Sequence, residues 1–460
     1  MNVIFIVCDT LRADRLGCYG YFRNTSPTLD ALAREGVLFE EFHSSALSTG
    51  AAFSCLFSGM PAIHHRFYAT PAGSPNIMNF DDAIPTFPEV IQCNSGHTTV
   101  AVDNLINFAG HMKQTARGFE FYINVTRDGG FRQPEYTAGE ANARFLPWLK
   151  SHGREPFFAF IHLWDAHHNP YRAPGYRERF KQPRGSLDGL PVRGCAAGYE
   201  YVPAWGRVGE IVWGVSAGNF QRAVDGGAGG AIGGDDGGDE ITQDLYDGSV
   251  AYMDAQIGEI LRTLSDERIL DDTAIVLTAD HGEGLGIHGT WGHGLLYEDT
   301  IHIPLLLWRP GLLPEGRRVK GFAQHVDIAP TLLDLMGMAG RGPLRSRIGT
   351  MGAVDVAMKG RSLLPQVRGE APGPELIVAE VRRGPADPGY RSLQSSSWKL
   401  IERLGGEREL YHLGDDPLEK VNLADREAER ADGMSQKLHA WVQSHLKDGE
   451  KDPMRSAYGE

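Results

Sequence analysis

The sequence predicts an α/β protein: a central, mostly parallel sheet flanked by helices, followed by a smaller C-terminal α+β subdomain. Three observations carry this. The runs Asn2–Cys8, 156–164 and 273–278 are apolar almost throughout rather than alternating, the pattern of strands covered on both faces. Each run ends in acidic or imidazole side chains, namely Asp9, then Asp165 with His167 and His168, then Asp280 with His281. In open α/β sheets that strand edge is where ligands bind. Finally, the composition turns loop-like over 341–359, beyond which short strand patterns and a long helical one follow.

In chain order, the strand Asn2–Cys8 delivers Asp9. A short helix is expected over 30–35, stopped by Gly36, and then a second strand, Val37–His43. That strand feeds residues 44–59, SSALSTGAAFSCLFSG. A helix starting near Gly50 puts Thr49 at its N-cap, where free N–H groups and the positive end of the dipole favour an anion. The same place suits a hydroxyl nucleophile, although Thr is also an ordinary capping residue. A helix over 86–92 precedes the strand Thr98–Val102, which ends in Asp103 and Asn104. Residues 140–151 read as an amphipathic helix with Phe145, Trp148 and Leu149 on its apolar side. The helix over 242–264 and the strand over 273–278 form a helix-then-strand unit consistent with parallel pairing. A strand over 303–308 and a helix over Ile328–Leu335 follow. Strands over 375–380, 398–402 and 409–413 and a helix over 425–446 make up the smaller unit. The expected division is 1–340 and 341–460. Within the first part, 185–240 is an insertion whose run 225–239 is mostly Gly and Asp, too poor in apolar groups to offset its ordering entropy.

With 460 residues, 42% hydrophobic and 23% charged, the chain is long enough for one large core and a smaller attached unit. A net charge of −14 without a Lys/Arg run argues against a nucleic-acid surface, while a small anionic substrate stays compatible with local positive charge. The apolar run 3–8 is too short for a membrane span or a signal segment. Five cysteines without a CxxC suggest neither a disulfide framework nor a thiolate zinc site. A cytoplasmic protein, with a homo-oligomer compatible, is the expectation.

Asp9, Asp280 and His281 form a hard, oxygen-rich ligand set with one imidazole, suited to Mg²⁺, Ca²⁺, Mn²⁺ or Zn²⁺. An ion at Thr49 would lower the pKa of its hydroxyl and polarise a phosphoryl or sulfuryl oxygen. His293, twelve residues past His281, is a candidate to bind the anion or protonate the leaving group, with His167 or His168 as the competing acid.

Six segments carry a resemblance: NVIFIVCDTLRADRLGCYG, SPTLDALAREGVLF, YDGSVAYMDAQIGEIL, TADHGEGLG, HVDIAPTLLDLMG and WKLIERLGGERELYHLGDDPLEKVNLAD. Together they resemble the sulfatase-like branch of the alkaline phosphatase superfamily, which includes sulfatases, phosphonate monoester hydrolases and phosphodiesterases. The resemblance implies that Asp9, Asp280 and His281 bind metal together with the oxygen of Thr49, and that His167 faces the substrate, with His168 as the alternative. It places His293 where the family usually has a substrate-binding lysine. A second metal held by Asp165, His168 and His293 is the alternative, as in the superfamily's two-metal esterases.

The departures redirect the expected chemistry. Thr10 stands where many sulfatases have a second aspartate. The formylglycine position falls on Thr49, and the motif's Pro and Arg become Ala51 and Phe53. Threonine is not a substrate for the oxidation that makes formylglycine from Cys or Ser, so no formylglycine is expected. The family's sulfate-binding Lys-x-His is replaced by Asn104-Leu105-Ile106, leaving Asn104 as a neutral substrate contact. The resemblance therefore implies a hydrolase needing one divalent ion, or two, that cleaves phosphodiesters or phosphonate monoesters through a Thr49 phospho-enzyme. The alternatives are a sulfatase using unmodified Thr49 and an inactive relative that binds an anion or a partner.

Overall fold

β1 (Asn2–Cys8) is buried along its whole length, as its unbroken apolar run requires. It pairs in parallel with β5 (Phe157–Leu163) on one side and β6 (Thr273–Ala279) on the other. The computed structural model describes residues 1–68, 80–107, 112–126, 136–167, 175–176, 179–180, 243–289, 291–339, 358–382 and 387–456. The Gly-rich insertion, His168 and the expected boundary near 341 lie outside these residues.

Among the described residues, the sheet around the three central strands has eight: β10 (Arg317–Gln324), β2 (Val37–His43), β9 (Leu305–Trp308), β6, β1, β5, β3 (Thr98–Val102) and β4 (Phe121–Ile123), in that order. β9 alone runs antiparallel to its neighbours. The C-terminal ends of the other seven therefore share one edge, where Ser44, Asp9, Asp280, Asp103, Asp165 and His325 emerge. β7 (Gly284–Leu285) and β8 (Trp291–Gly292) form a small antiparallel pair beyond β6. The sequence pattern predicts neither β4 nor β10. β4 has three residues, and β10 (RRVKGFAQ) is an edge strand carrying exposed Arg317, Arg318 and Lys320, so neither presents a buried apolar run.

Helix starts follow their caps. Pro27 opens the helix Pro27–Glu35, three residues earlier than its apolar pattern suggests. Thr86 with Glu89, and Thr137 with Glu140, close capping boxes at Phe87–Asn94 and Ala138–His152. At Thr49–Ser58 the structure corrects the expected cap. Ser48 has an extended backbone and its Oγ accepts from Ala51 N at 3.4 Å, so Ser48 is the N-cap and Thr49 is the first helical residue.

Beyond the large sheet, β11 (Ile377–Val381), β12 (Tyr390–Gln394), β13 (Trp398–Arg403) and β14 (Arg408–His412) form an antiparallel meander. β12, with two polar and one charged residue among five, is likewise not predicted. The helix Ala428–His445 covers one face through Ala431, Met434 and Leu438, against Val378, Leu393, Leu400 and Leu410. The other face packs on Leu47, Leu296 and Ile301. A parallel bridge joins Ala46 to Glu380, with Leu47 N donating to Glu380 O at 3.0 Å. The smaller sheet is thus stitched to the segment that leads into Thr49.

His325, fully buried, ties three strand ends together. Its Nε2 lies 3.0 Å from Ala279 O, while Nδ1 faces Ser45 N at 3.3 Å and Ser44 Oγ at 3.4 Å. Burial pushes this imidazole down to about 4. The unfolded chain therefore takes up a proton at His325 between its ordinary pKa near 6.5 and about 4, while the folded chain does not. Stability is full above that window and falls as pH drops through it, by about 3 kcal/mol in total. In urea unfolding compared at about pH 7 and about pH 5, wild type should lose more stability on acidification than His325→Gln, which carries no such proton.

Candidate metal and ester-hydrolysis centre

The end of β1 turns abruptly. Thr10 adopts a left-handed backbone, φ +57°, a rare conformation for a β-branched residue. The turn aims Thr10 N at Asp280 Oδ1, 3.0 Å away, and Tyr246 secures it by donating its hydroxyl to Thr10 O at 2.7 Å. Asp280 Oδ1 also accepts from His281 N at 2.8 Å. One carboxylate oxygen thereby joins the ends of β1 and β6.

The structure brings Asp9, Asp280 and His281 together: all three are fully buried, and each offers a ligand atom within 4.8 Å of the other two. Burial first, and the Asp280 charge second, raise the Asp9 carboxyl to about 7. Asp9 Oδ1 and Asp280 Oδ2 are buried and accept no hydrogen bond from the described residues. Two unsatisfied carboxylate oxygens beside an imidazole at zero exposure fit a divalent cation, which would supply the missing partner of each. Among the described residues this is the one cluster of three such groups.

Asp9 Oδ2 has a different partner. His162, inside β5, reaches it with Nε2 at 3.2 Å, while Nδ1 meets Asp103 Oδ1 at 3.0 Å. Burial opposes a charge on this imidazole, but the bonds to Asp103 and Asp9 outweigh it and raise His162 to about 9. Phe53 packs edge-on against the His162 ring at 4.8 Å. Thr49 lies one turn before Phe53 on the same helix face. Ser44 Oγ, donating to Asp280 O at 2.9 Å, ties the segment before Thr49 to the other carboxylate strand.

His293 and His167 come together at the same centre. The His293 ring lies 4.2 Å from that of His281 and 5.3 Å from that of His167. Its Nδ1 is 3.4 Å from Glu283 Oε2; burial disfavours its charge, yet Glu283, with Asp9 and Asp280 behind it, raises it to about 9. Arg12, fully buried, donates Nη1 to Glu283 O at 2.8 Å and binds Asp14 through Nε and Nη2, fixing the loop after Asp280. Gly282 is required there, because a Cβ would meet Asp299 O at 2.3 Å.

The remaining expected site residues have other partners. Asn104 is fully buried, accepting from Trp164 Nε1 at 3.0 Å and donating to Thr126 Oγ1 at 3.1 Å, so its amide braces Trp164. Both Asp165 oxygens accept from Ala138 N, at 3.1 and 2.9 Å, capping the helix Ala138–His152. Asp103, His162 and Glu283 were not among the expected site residues. His162 is the one polar side chain in an apolar strand, which was the available signal.

A family model described as Sulfatase matches residues 1–338. The chain belongs to the sulfatase family. It is thus an ester hydrolase, of a family whose enzymes are generally dependent on a divalent metal. This sulfatase-family chain is 32% identical to choline-sulfatase of Rhizobium meliloti over 183 residues, covering 39% of the chain but only 32% of that protein. It is 24% identical to arylsulfatase K of Gallus gallus, covering 96% of the chain and 82% of that protein. Among solved structures it resembles the phosphonate monoester hydrolase of Agrobacterium radiobacter, with a TM-score of 0.71 at 19% identity over 97% of this chain and 96% of that one. That likeness establishes the shared fold.

If the orphaned oxygens hold a metal, Mn²⁺ at one hundred times its dissociation constant should stabilise the protein by about 2.7 kcal/mol. Asp9→Asn should abolish that gain while leaving the metal-free protein at least as stable, since it removes a carboxylate repulsion. Thermal unfolding with and without Mn²⁺ after chelation reads both effects.

Proposed function

We propose that the protein hydrolyses a singly charged phosphodiester or phosphonate monoester, with Thr49 as the nucleophile. The observation that carries this reading is the residue at the start of the helix Thr49–Ser58, a threonine where formylglycine chemistry would need Cys or Ser. Asp9, Asp280, His281 and the Thr49 oxygen are the residues to hold the ion. When bound, it would lower the pKa of the hydroxyl and neutralise charge on the ester.

Thr49 Oγ attacks phosphorus, the bond to the leaving-group oxygen breaks, and the hydroxyl proton passes to a neighbouring imidazole or to solvent. His293, beside Glu283, would hold the anion and give the leaving oxygen its proton, with His167 alongside. Water then attacks the phosphothreonine, releasing product and restoring the hydroxyl. Asn104, which is uncharged, braces Trp164 where the family pattern has a lysine.

A second reading, sulfate ester hydrolysis by unmodified Thr49, is favoured by the family match over residues 1–338 and by the relatives described as sulfatases. Initial rates on a matched aryl phosphodiester, aryl phosphonate and aryl sulfate separate the two; faster sulfate turnover would overturn the phosphorus reading. Thr49→Ala should lower turnover by about 10³-fold or more, while leaving metal-dependent stabilisation largely in place. Mass spectrometry of a quenched reaction should find the phosphoryl group on the peptide carrying Thr49.

A further inference from the structure

We propose that His162 is a positioning residue that holds the Asp9 carboxylate by Oδ2 and so presents Oδ1 to the metal. The proposal rests on the reading of Asp9 as a metal ligand. A carboxylate at the end of a strand can turn about its last torsion and offer either oxygen. Here one oxygen is claimed by His162 Nε2 at 3.2 Å, and the other accepts nothing from the described residues.

His162 is in turn allowed little movement. Nδ1 is 3.0 Å from Asp103 Oδ1, and the Tyr122 hydroxyl donates to Asp103 Oδ2 at 2.7 Å. Phe53 and Trp164 flank the ring, at 4.8 and 4.5 Å between centroids. The Tyr136 hydroxyl donates to His162 O at 2.6 Å, which pins the backbone beneath it. Tyr122, Asp103, His162 and Asp9 thus form one hydrogen-bonded chain from β4 through β3 and β5 to the turn after β1. Both nitrogens of His162 face carboxylate oxygens, so the ring acts as a double donor between two acceptors. Outer partners of this kind typically change metal affinity by about 10–100-fold when removed.

The chain separates two substitutions of similar size. Glutamine at 162 reaches as far as the imidazole Nε2 and keeps a donor toward Asp9, whereas asparagine reaches only as far as Nδ1 and keeps a partner for Asp103 alone. Mn²⁺ binding is measured by titration calorimetry on chelated wild type, His162→Gln, His162→Asn and Asp9→Asn, with urea midpoints of the metal-free proteins alongside. Asp9→Asn should lose saturable binding. His162→Asn should bind about 10–100-fold more weakly. His162→Gln should stay close to wild type even where its urea midpoint matches that of His162→Asn.

Equal weakening in both His162 variants, in step with lost stability, would mean that the ring only packs. Wild-type affinity in His162→Asn beside loss in Asp9→Asn would overturn the positioning role and leave the metal site standing. Wild-type affinity in Asp9→Asn would overturn both. Where the His162 variants fail to fold, Tyr122→Phe on the short strand β4 takes their place. It should weaken Mn²⁺ binding severalfold at little cost to folding, and unchanged binding would overturn the proposal.

Discussion

Two carboxylates without solvent exposure, Asp9 and Asp280, meet at the shared edge of β1 and β6. Neighbouring buried charges of one sign oppose folding, and Asp9 shows the strain as a raised carboxyl. The parallel register, Cys8 opposite Ala279, leaves no choice, because each strand's next residue must emerge beside the other's. What makes the pair tolerable is a set of donors aimed at it: Thr10 N and His281 N on Asp280, and His162 on Asp9. Two oxygens remain unmatched, and a divalent ion would resolve them.

Much of the surrounding structure keeps this arrangement rigid. Arg12 lies under the loop that carries Glu283. His325 joins the ends of β2, β6 and β10. The smaller sheet contributes too, through the fully buried Lys399 on β13, whose Nζ lies 3.0 Å from Glu298 and 2.8 Å from Glu419. Glu298 begins the short helix Glu298–Ile301, past His293 in the chain, and its N–H donates to Glu419 at 2.6 Å. A buried cation held by two carboxylates is costly to break, because either loss strands a charge. The C-terminal unit is therefore part of the scaffold that fixes the segment running on from His293.

Family membership and the residue at the helix start point in different chemical directions. Belonging to the sulfatase family sets the fold and the ester-hydrolysing class. Which ester is cleaved depends on how the nucleophile is regenerated. As the proposed nucleophile, Thr49 would release its phosphoryl group by attack of water. That feature, rather than the fold, supports a phosphorus ester.

Long apolar runs were legible because a strand covered on both faces admits little else: β1, β2 and β3 have the bounds the sequence predicts, β5 is one residue shorter at each end and β6 one residue longer at its C-terminal end. Asp9, Asp280, His281, His167 and His293 were legible for a related reason, since polar groups directly after such strands and in the following loop can only lie at the ligand-binding edge. β4, β10 and β12 were not, because short or charged strands acquire their identity from the neighbour they pair with. The sequence by itself determined which strands are buried and which polar residues end them. Only the tertiary structure decided that His162 serves Asp9, that Asn104 braces Trp164, that Asp165 caps a helix and that Ser48 rather than Thr49 takes the N-cap. Each of those roles depends on a partner distant in sequence or on local backbone geometry, and hydrogen bonding is set by where the fold brings donors and acceptors together.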